Sequence, residues 1–141
     1  MSKINAFEDM KVWQMSRKLA HSIFEHTQRE AFSRDFSLKD QMNRAMGSVM
    51  DNIAEGYERQ GNKEFIHFLS ISKGSAGEVR SQLYRAKDRR YLSEIEFTNL
   101  RNEIEEIGKQ LSGFMAYLKQ TELRGSKFVE EPESVYGNFE F

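Results

Sequence analysis

Proline is nearly absent from this chain, and its absence is the strongest constraint on the fold. The one proline among the 141 residues is Pro132, far down the sequence. Proline breaks helices because it lacks a backbone donor and because its ring clashes with the preceding turn. Long uninterrupted helices are therefore possible over almost the whole chain.

Apolar residues recur at steps of three and four in four separate segments, which is the period of one face of an α-helix. In the first segment the line runs through Val12, Leu19 and Ile23. In the last it continues without a break from Phe97 to Leu118, which is typical of a coiled-coil-like seam. We predict four helices, over residues of about 8–27, 37–56, 62–89 and 93–121.

Capping residues indicate where some of these helices begin and end. Ser37 followed by Asp40 resembles a capping box for the second helix. Ser93 followed by Glu96 forms a full S-x-x-E box for the fourth. Gly56 is predicted to end the second helix, since glycine tolerates the left-handed conformation that often follows a helix.

The third segment contains a run of small residues, Gly74–Gly77. In an isolated helix each glycine costs about 1 kcal/mol relative to alanine. Their presence in a long periodic segment predicts close backbone packing against another helix.

Short polar links join the four amphipathic segments, and the sequence shows neither a strand alternation nor an internal repeat. This pattern predicts an all-α fold, an up-down-up-down antiparallel four-helix bundle over residues 1–121.

Residues 122–141 break the helical period and form a tail of different composition. From Phe128 onward the tail holds four glutamates and no base, so it carries −4; because the whole chain sums to −1, residues 1–127 carry +3. The tail also contains aromatic residues, which disordered segments usually lack. Two interpretations are open: a frayed terminus, or an acidic segment that packs on another, basic surface.

Composition excludes several classes of protein. With no cysteine, neither a disulfide nor a cysteine-ligated metal site is possible. The longest apolar run, Phe114–Leu118, is far shorter than the roughly 20 residues of a membrane span, and residues 1–10 lack the apolar core of a signal peptide. We expect a cytoplasmic protein with no membrane partner.

The sequence contains half of a known metal-binding pattern. Di-iron bundles use two Glu-x-x-His motifs and two further glutamates, but the sequence holds one such motif, Glu64 with His67. It also lacks a nucleophile elbow and a phosphate loop. We expect no metal, no cofactor, no catalytic residue and no enzymatic activity.

Some apolar residues lie beyond the single stripe that a monomeric bundle needs, and they predict an oligomer interface. For Trp13 the alternative is that a wide apolar arc lies deep in the bundle. The candidate interface residues are Trp13, Ala20, Phe24, Ile66 and Tyr84.

Basic residues cluster near the end of the third helix and predict a phosphate-binding patch, together with two cations of the first helix. The alternative is a solvated helix end, where the helix dipole favours cations. The candidate nucleic-acid-binding residues are Arg17, Lys18, Arg80, Arg85, Lys87, Arg89 and Arg90.

Three stretches carry recognisable motifs: residues 7–14 (FEDMKVWQ), residues 41–59, with QxxRA and NIAEG, and residues 64–78, with EFxxFL and GSxxE. In these stretches the sequence resembles the 23S rRNA intervening sequence protein family, to which the accessory variability determinant of diversity-generating retroelements is related. The resemblance implies a four-helix bundle that assembles into a homopentameric ring, with no established catalytic residues. It also implies an association with nucleic acid, although the pI near 6.3 is lower than that of the strongly basic retroelement relative.

Several polar residues of these stretches fall on helix faces where they can pair between helices or between protomers. We interpret them as a structural network that specifies one packing arrangement. Its members are Arg44, Asn52, Glu55, Glu64 and Glu78.

Together these features predict a non-enzymatic, oligomeric four-helix bundle that acts as an accessory protein associated with RNA or another nucleic acid. The alternative is an oligomeric scaffold that binds a protein partner and has no nucleic-acid role.

Overall fold

A computed structural model describes residues 3–123, which fold into a helical bundle. A 3-10 turn, Phe7–Asp9, precedes four long α-helices and one short one, and residues 3–123 contain no β-strand, so the predicted all-α class is confirmed. The helices are α1 (Lys11–Thr27), α2 (Glu30–Arg34), α3 (Phe36–Glu58), α4 (Asn62–Asp88) and α5 (Glu94–Leu123). Of the predicted tail, residues 124–141 lie outside the described part of the chain.

α1 begins at Lys11, later than predicted, because the residues before it form the separate 3-10 turn. The Asp9 carboxylate closes that turn by accepting hydrogen bonds from the backbone N–H groups of Asn5 and Ala6 at 3.0 and 3.1 Å. Met10 is extended and fully buried between the turn and the helix.

The connection from α1 to α3 contains the short helix α2, which was not predicted because five residues are too few to show a period. Phe32 anchors this helix: its side chain is buried, and its ring stacks on Tyr91 with centroids 4.9 Å apart.

The start of α3 differs from the prediction. Its N-cap is Asp35, whose carboxylate accepts a hydrogen bond from the Leu38 N–H at 3.3 Å. The predicted capping box of Ser37 and Asp40 is therefore wrong. Ser37 lies inside the first turn, where its hydroxyl accepts a hydrogen bond from the Gln41 side chain at 2.8 Å.

The predicted capping box at the start of α5 is confirmed. The Ser93 N–H donates to the Glu96 carboxylate at 2.9 Å, and the Glu96 N–H donates to the Ser93 hydroxyl at 3.1 Å. Two of the otherwise unpaired donors at this helix end are thus satisfied reciprocally.

The apolar lines of the sequence form one core. α4 packs against both α3 and α5, and α1 packs against α3 and α5. The largest fully buried side chains come from all four long helices and from the residue before α1; among them are Met10, Leu19, Ile23, Met42, Ile53, Leu69, Leu83, Ile104 and Phe114.

Side-chain hydrogen bonds between α3 and α4 join early residues of one helix to late residues of the other. In the middle of the pair, Ser48 and Ser75 share a hydrogen bond of 2.8 Å, and the Ser72 hydroxyl donates to the Val49 carbonyl at 2.6 Å. Towards the start of α3, Arg85 donates to the Gln41 side-chain carbonyl at 3.0 Å.

The run Gly74–Gly77 packs closely in part. Ser75 and Ala76 are buried, as close packing requires. Gly74 and Gly77 are exposed, and a Cβ atom added at either would meet nothing within 4 Å. The predicted close packing is therefore wrong for the two glycines within the described chain.

Close packing between α3 and α4 requires a glycine at position 56. This glycine does not end α3, which continues to Glu58. A Cβ atom at Gly56 would lie 2.9 Å from Phe65 Cδ1 and 2.9 Å from Phe68 Cβ, both on α4. The missing side chain lets the two helices approach each other at this point.

We expect Gly56→Ala to destabilise the protein, because the added methyl group forces α3 and α4 apart. Overpacking of this kind costs about 1–3 kcal/mol, which urea unfolding followed by circular dichroism would measure. Gly47→Ala is the matched control, since a Cβ atom there meets nothing within 4 Å and alanine is the better helix former. Equal stability of the two variants would contradict the close approach.

Candidate nucleic-acid interface

The C-terminal end of α4 carries four of the predicted cations. After Asp88 the chain turns through Arg90, which has a left-handed φ of 63°. The Arg90 N–H donates to the Lys87 carbonyl, and the Tyr91 N–H donates to the Ala86 carbonyl, each at 2.9 Å. These bonds cap α4 and leave the Arg90 side chain exposed.

Ion pairs engage three of the predicted cations. Arg80 lies 3.7 Å from Glu105 of α5. Lys87 lies 3.1 Å from Glu94, and its ammonium group stands 4.6 Å from the centroid of the Phe97 ring.

The third pair, between Arg89 and Asp35, is part of a clamp that joins three elements. Asp35 caps α3 and accepts hydrogen bonds from the Arg89 guanidinium at 2.7 Å and from the Tyr91 hydroxyl at 2.9 Å. The hydrogen bond from Tyr91, assisted by Arg89, lowers the pKa of Asp35, and the same bond raises the pKa of Tyr91. Arg89 therefore stabilises the fold at this end of the bundle.

Three arginines surround this clamp without an acidic partner among the described residues, and we call them the α4-end arginines: Arg34, Arg85 and Arg90. Arg85 donates only to the neutral side chain of Gln41. Arg34 and Arg90 are exposed, and the charge of Arg34 acts on the Tyr91 hydroxyl. Arg34 was not among the predicted residues, because it belongs to the short helix α2.

Arg17 and Lys18 lie elsewhere. Both are exposed on α1, where they line a shallow groove with Gln14 and His21. The Arg17 guanidinium stands 5.9 Å from the centroid of the Trp13 ring. Within residues 3–123, no described contact joins this pair to the end of α4.

A second polar cluster lies beside the clamp and centres on Glu96. Its carboxylate accepts hydrogen bonds from Arg29 at 2.6 and 3.2 Å, and His26 Nε2 lies 3.7 Å away. The bonds from Arg29, followed by that from the Ser93 backbone, lower the pKa of Glu96 to about 2. The cluster ties the end of α1 to the start of α5.

The predicted interface residues divide into two groups. Trp13, Ala20 and Ile66 are partly buried and pack against the core, which fits the alternative interpretation of a wide arc. Phe24 is 50% exposed and Tyr84 is 44% exposed, although the Tyr84 ring also packs edge-on against Phe97 at 4.9 Å.

The predicted polar network differs from the observed one. Arg44 pairs with Asp40 and Glu55 pairs with Arg59, each within α3, and Glu64 and Glu78 are exposed on α4. Among the described contacts these four residues do not join two helices.

In the middle of α3 and α4, the side-chain hydrogen bonds between the two helices come from serines. Asn52, which was predicted, donates to the Ser48 hydroxyl at 2.9 Å, and Ser48 bonds Ser75 of α4. Small hydroxyl residues within an otherwise apolar stripe are the sequence signal that indicates Ser72 and Ser75.

The described residues contain no group of three or more His, Asp and Glu side chains that could hold a metal ion. Glu64 and His67, the half motif, are both exposed. Of the helices in residues 3–123, none is both long enough and apolar enough to cross a bilayer.

Comparison with known proteins gives a family. The model of the 23S rRNA-intervening sequence protein family matches residues 8–113. The chain belongs to this family. The resemblance in its three motif-bearing stretches is thereby confirmed.

A solved structure shares the fold of this family member. It is a protein of unknown function from the S23 ribosomal protein family of Bacteroides thetaiotaomicron, with 24% sequence identity and a TM-score of 0.68. The match covers 74% of this chain and 97% of that one. No curated protein matches the sequence.

We expect Glu96→Gln to reduce stability in a pH-dependent way. The pKa of Glu96 falls from 4.5 to about 2 on folding, so its contribution is present above pH 4.5 and is lost as the pH falls towards 2. Glutamine can still accept the capping hydrogen bond. The variant should therefore lose about 1–2 kcal/mol near pH 5.5, after allowance for solvent screening, and almost nothing near pH 2.

Urea unfolding at several pH values would measure this difference. Glu103→Gln, at an exposed position of the same helix, is the control and should follow the original protein at every pH. A loss for Glu96→Gln that stays constant between pH 5.5 and 2 would show that charge is not the cause.

Proposed function

We propose that this protein is a non-enzymatic, oligomeric accessory protein of the cytoplasm that associates with structured RNA. The α4-end arginines carry this proposal. Arginine binds phosphate with a planar fork of donors, and none of these three side chains has an acidic partner among the described residues.

The neighbouring ion pairs do not prevent phosphate contacts. Arg89 is 45% exposed in its pair with Asp35, and Arg80 is 56% exposed in its pair with Glu105. Exposed pairs contribute only about 0–1 kcal/mol, so a phosphate group can share such a cation. RNA binding would then draw on a moderately basic surface and would depend strongly on salt.

For the assembly, we propose an up-down-up-down antiparallel bundle that forms a homopentameric ring. Two hydrogen bonds support the antiparallel order of α3 and α4, since the partner on α4 moves backward as the residue on α3 moves forward. Gln41 bonds Arg85, and Ser48, later in α3, bonds Ser75, earlier in α4. The ring rests on the family resemblance, and Phe24 and Tyr84 are the exposed residues of the predicted interface.

The second candidate is a protein-binding scaffold without a nucleic-acid role. The observation that favours it is the exposure of large apolar side chains outside the predicted interface. Phe36 at the start of α3 is 75% exposed, and Ile95 at the start of α5 is 74% exposed. Exposed apolar residues of this size are candidates for contact with a protein partner.

We expect neutralisation of the α4-end arginines, by Arg34→Gln, Arg85→Gln and Arg90→Gln, to weaken binding to a structured RNA at least tenfold near 50 mM salt. Each lost phosphate contact should also reduce the slope of log affinity against log salt by about 1. Filter binding across a salt series would measure both effects. Arg89 is left intact because its ion pair with Asp35 stabilises the fold.

The matched control replaces three exposed lysines outside this surface, by Lys3→Gln, Lys63→Gln and Lys119→Gln. It should lose affinity only slightly. RNA binding that is absent at low salt, or an equal loss in both triple variants, would contradict the proposed surface and would favour the scaffold.

We expect Phe24→Ser to shift the oligomer towards smaller species. Burial of a phenylalanine contributes about 1.5–3 kcal/mol, so the association constant should fall about tenfold or more per contact. Light scattering over a dilution series would measure the shift. Ile95→Ser is the control, and an unchanged oligomer in both variants would exclude Phe24 from the interface.

A further inference from the structure

A shallow groove of about 590 Å³ runs between α4 and α5. Its floor is formed by small and apolar residues, including Ala76, Gly77, Ile104 and Gly108. A Cβ atom added at either glycine would meet nothing within 4 Å. Among the described residues the floor is therefore uncovered, and neither glycine is needed for packing there.

The borders of this groove are basic. Lys73, Arg80 and Lys109 line it against one acid, Glu105. Glu105 pairs with Arg80, whereas neither lysine has an ion pair with any residue in the described part of the chain. A net charge of +2 thus borders an apolar floor.

A neighbouring groove, which shares Glu105 and Lys109 with the first, has the opposite net charge. It lies between α1 and α5, and its bases are Lys18 and Lys109. Its acids are Glu103, Glu105 and Glu106. An acidic ligand is repelled there and attracted to the groove between α4 and α5.

We propose that the α4–α5 groove binds the acidic, aromatic tail of the same chain. The tail has the complementary charge, −4 from Phe128 onward with no base. It also has the aromatic side chains that an open apolar floor accommodates. The two parts of the chain therefore match in both charge and polarity.

The length of the chain permits this contact within one molecule. Lys109 precedes the end of α5 at Leu123 by fourteen residues, which is about 21 Å along a helix. Glu130 and Glu131 follow Leu123 by seven and eight residues, which span up to about 25–29 Å when extended. A tail that folds back along α5 brings these two acids to Lys109.

Docking also explains why the glycines are tolerated. Each costs about 1 kcal/mol in a helix interior relative to alanine, and packing within residues 3–123 does not offset that cost at Gly77 or Gly108. A segment that lies on the groove needs the space that their side chains would fill.

Disulfide trapping in the full-length chain tests the proposal, since the protein has no cysteine of its own. Ser112→Cys places a thiol in the α4–α5 groove, and Val129→Cys places one in the tail. Gln14→Cys with Val129→Cys is the comparison pair, because Gln14 lines the basic groove of Arg17 and Lys18.

We expect the groove pair to form an intramolecular disulfide at least fivefold faster than the comparison pair. Lys73→Glu with Lys109→Glu should remove that preference, whereas Lys3→Glu with Lys63→Glu, an equal change of charge at exposed positions, should keep it. Raising the salt from about 50 to 500 mM should also slow trapping in the groove, because it screens the attraction.

The comparison of trapping rates at low and high salt needs no charge substitution. It therefore tests the proposal even if a charge variant folds poorly. Equal trapping rates for the two pairs would overturn the proposal. Trapping that is insensitive to both salt and the Lys73, Lys109 variant would do the same, and so would disulfides that form only between chains.

Discussion

The close approach of α3 and α4 is the constraint on which the rest of the structure depends. Gly56 permits it at one end, where any side chain would collide with Phe65 and Phe68. In the middle, Ser48 and Ser75 replace bulky apolar contacts with a short hydrogen bond. Because α4 also packs against α5, the position of α4 on α3 determines where α5 lies and which side chains of α4 reach solvent.

The same constraint divides the cations at the end of α4 into two groups. Arg89 meets Asp35 because α3 begins beside the end of α4, and their ion pair is reinforced by the Tyr91 hydroxyl. Arg85 also faces the start of α3, but there it donates to the neutral side-chain amide of Gln41. A cluster that is uniform in the sequence thus contains cations that pair with acids, Lys87 and Arg89, and arginines that remain available, since an arginine without an acidic partner keeps its donors for an outside ligand.

The sequence was sufficient for the class of fold and for the positions of the long helices, because apolar spacing over many turns is a strong signal. It was insufficient for α2, since five residues do not complete two turns. It also failed at the cap of α3, where Asp35 and Ser37 are both good capping residues and the partners Arg89 and Tyr91, distant in sequence, favour the aspartate. The interface and polar-network residues depend on contacts between helices, which the period of one helix does not specify.

Glycine shows most clearly why local pattern and tertiary role diverge. Gly56 was interpreted as a helix end and is required for close packing, whereas Gly74 and Gly77 were interpreted as close-packed and are open. The backbone is helical at all three glycines. They differ in whether a neighbouring helix occupies the space that a side chain would fill.

The net charge, like the role of a glycine, cannot be interpreted without knowing how the chain folds. A total of −1 looks like that of a protein without preference for polyanions. It is the sum of a body with +3 and a tail with −4, and electrostatic attraction acts over about 10 Å in salt rather than over the whole chain. A phosphate or a carboxylate group therefore responds to the local charge of the surface that it approaches. That local charge depends on which helix faces the packing of α3, α4 and α5 exposes to solvent, and not on the overall composition.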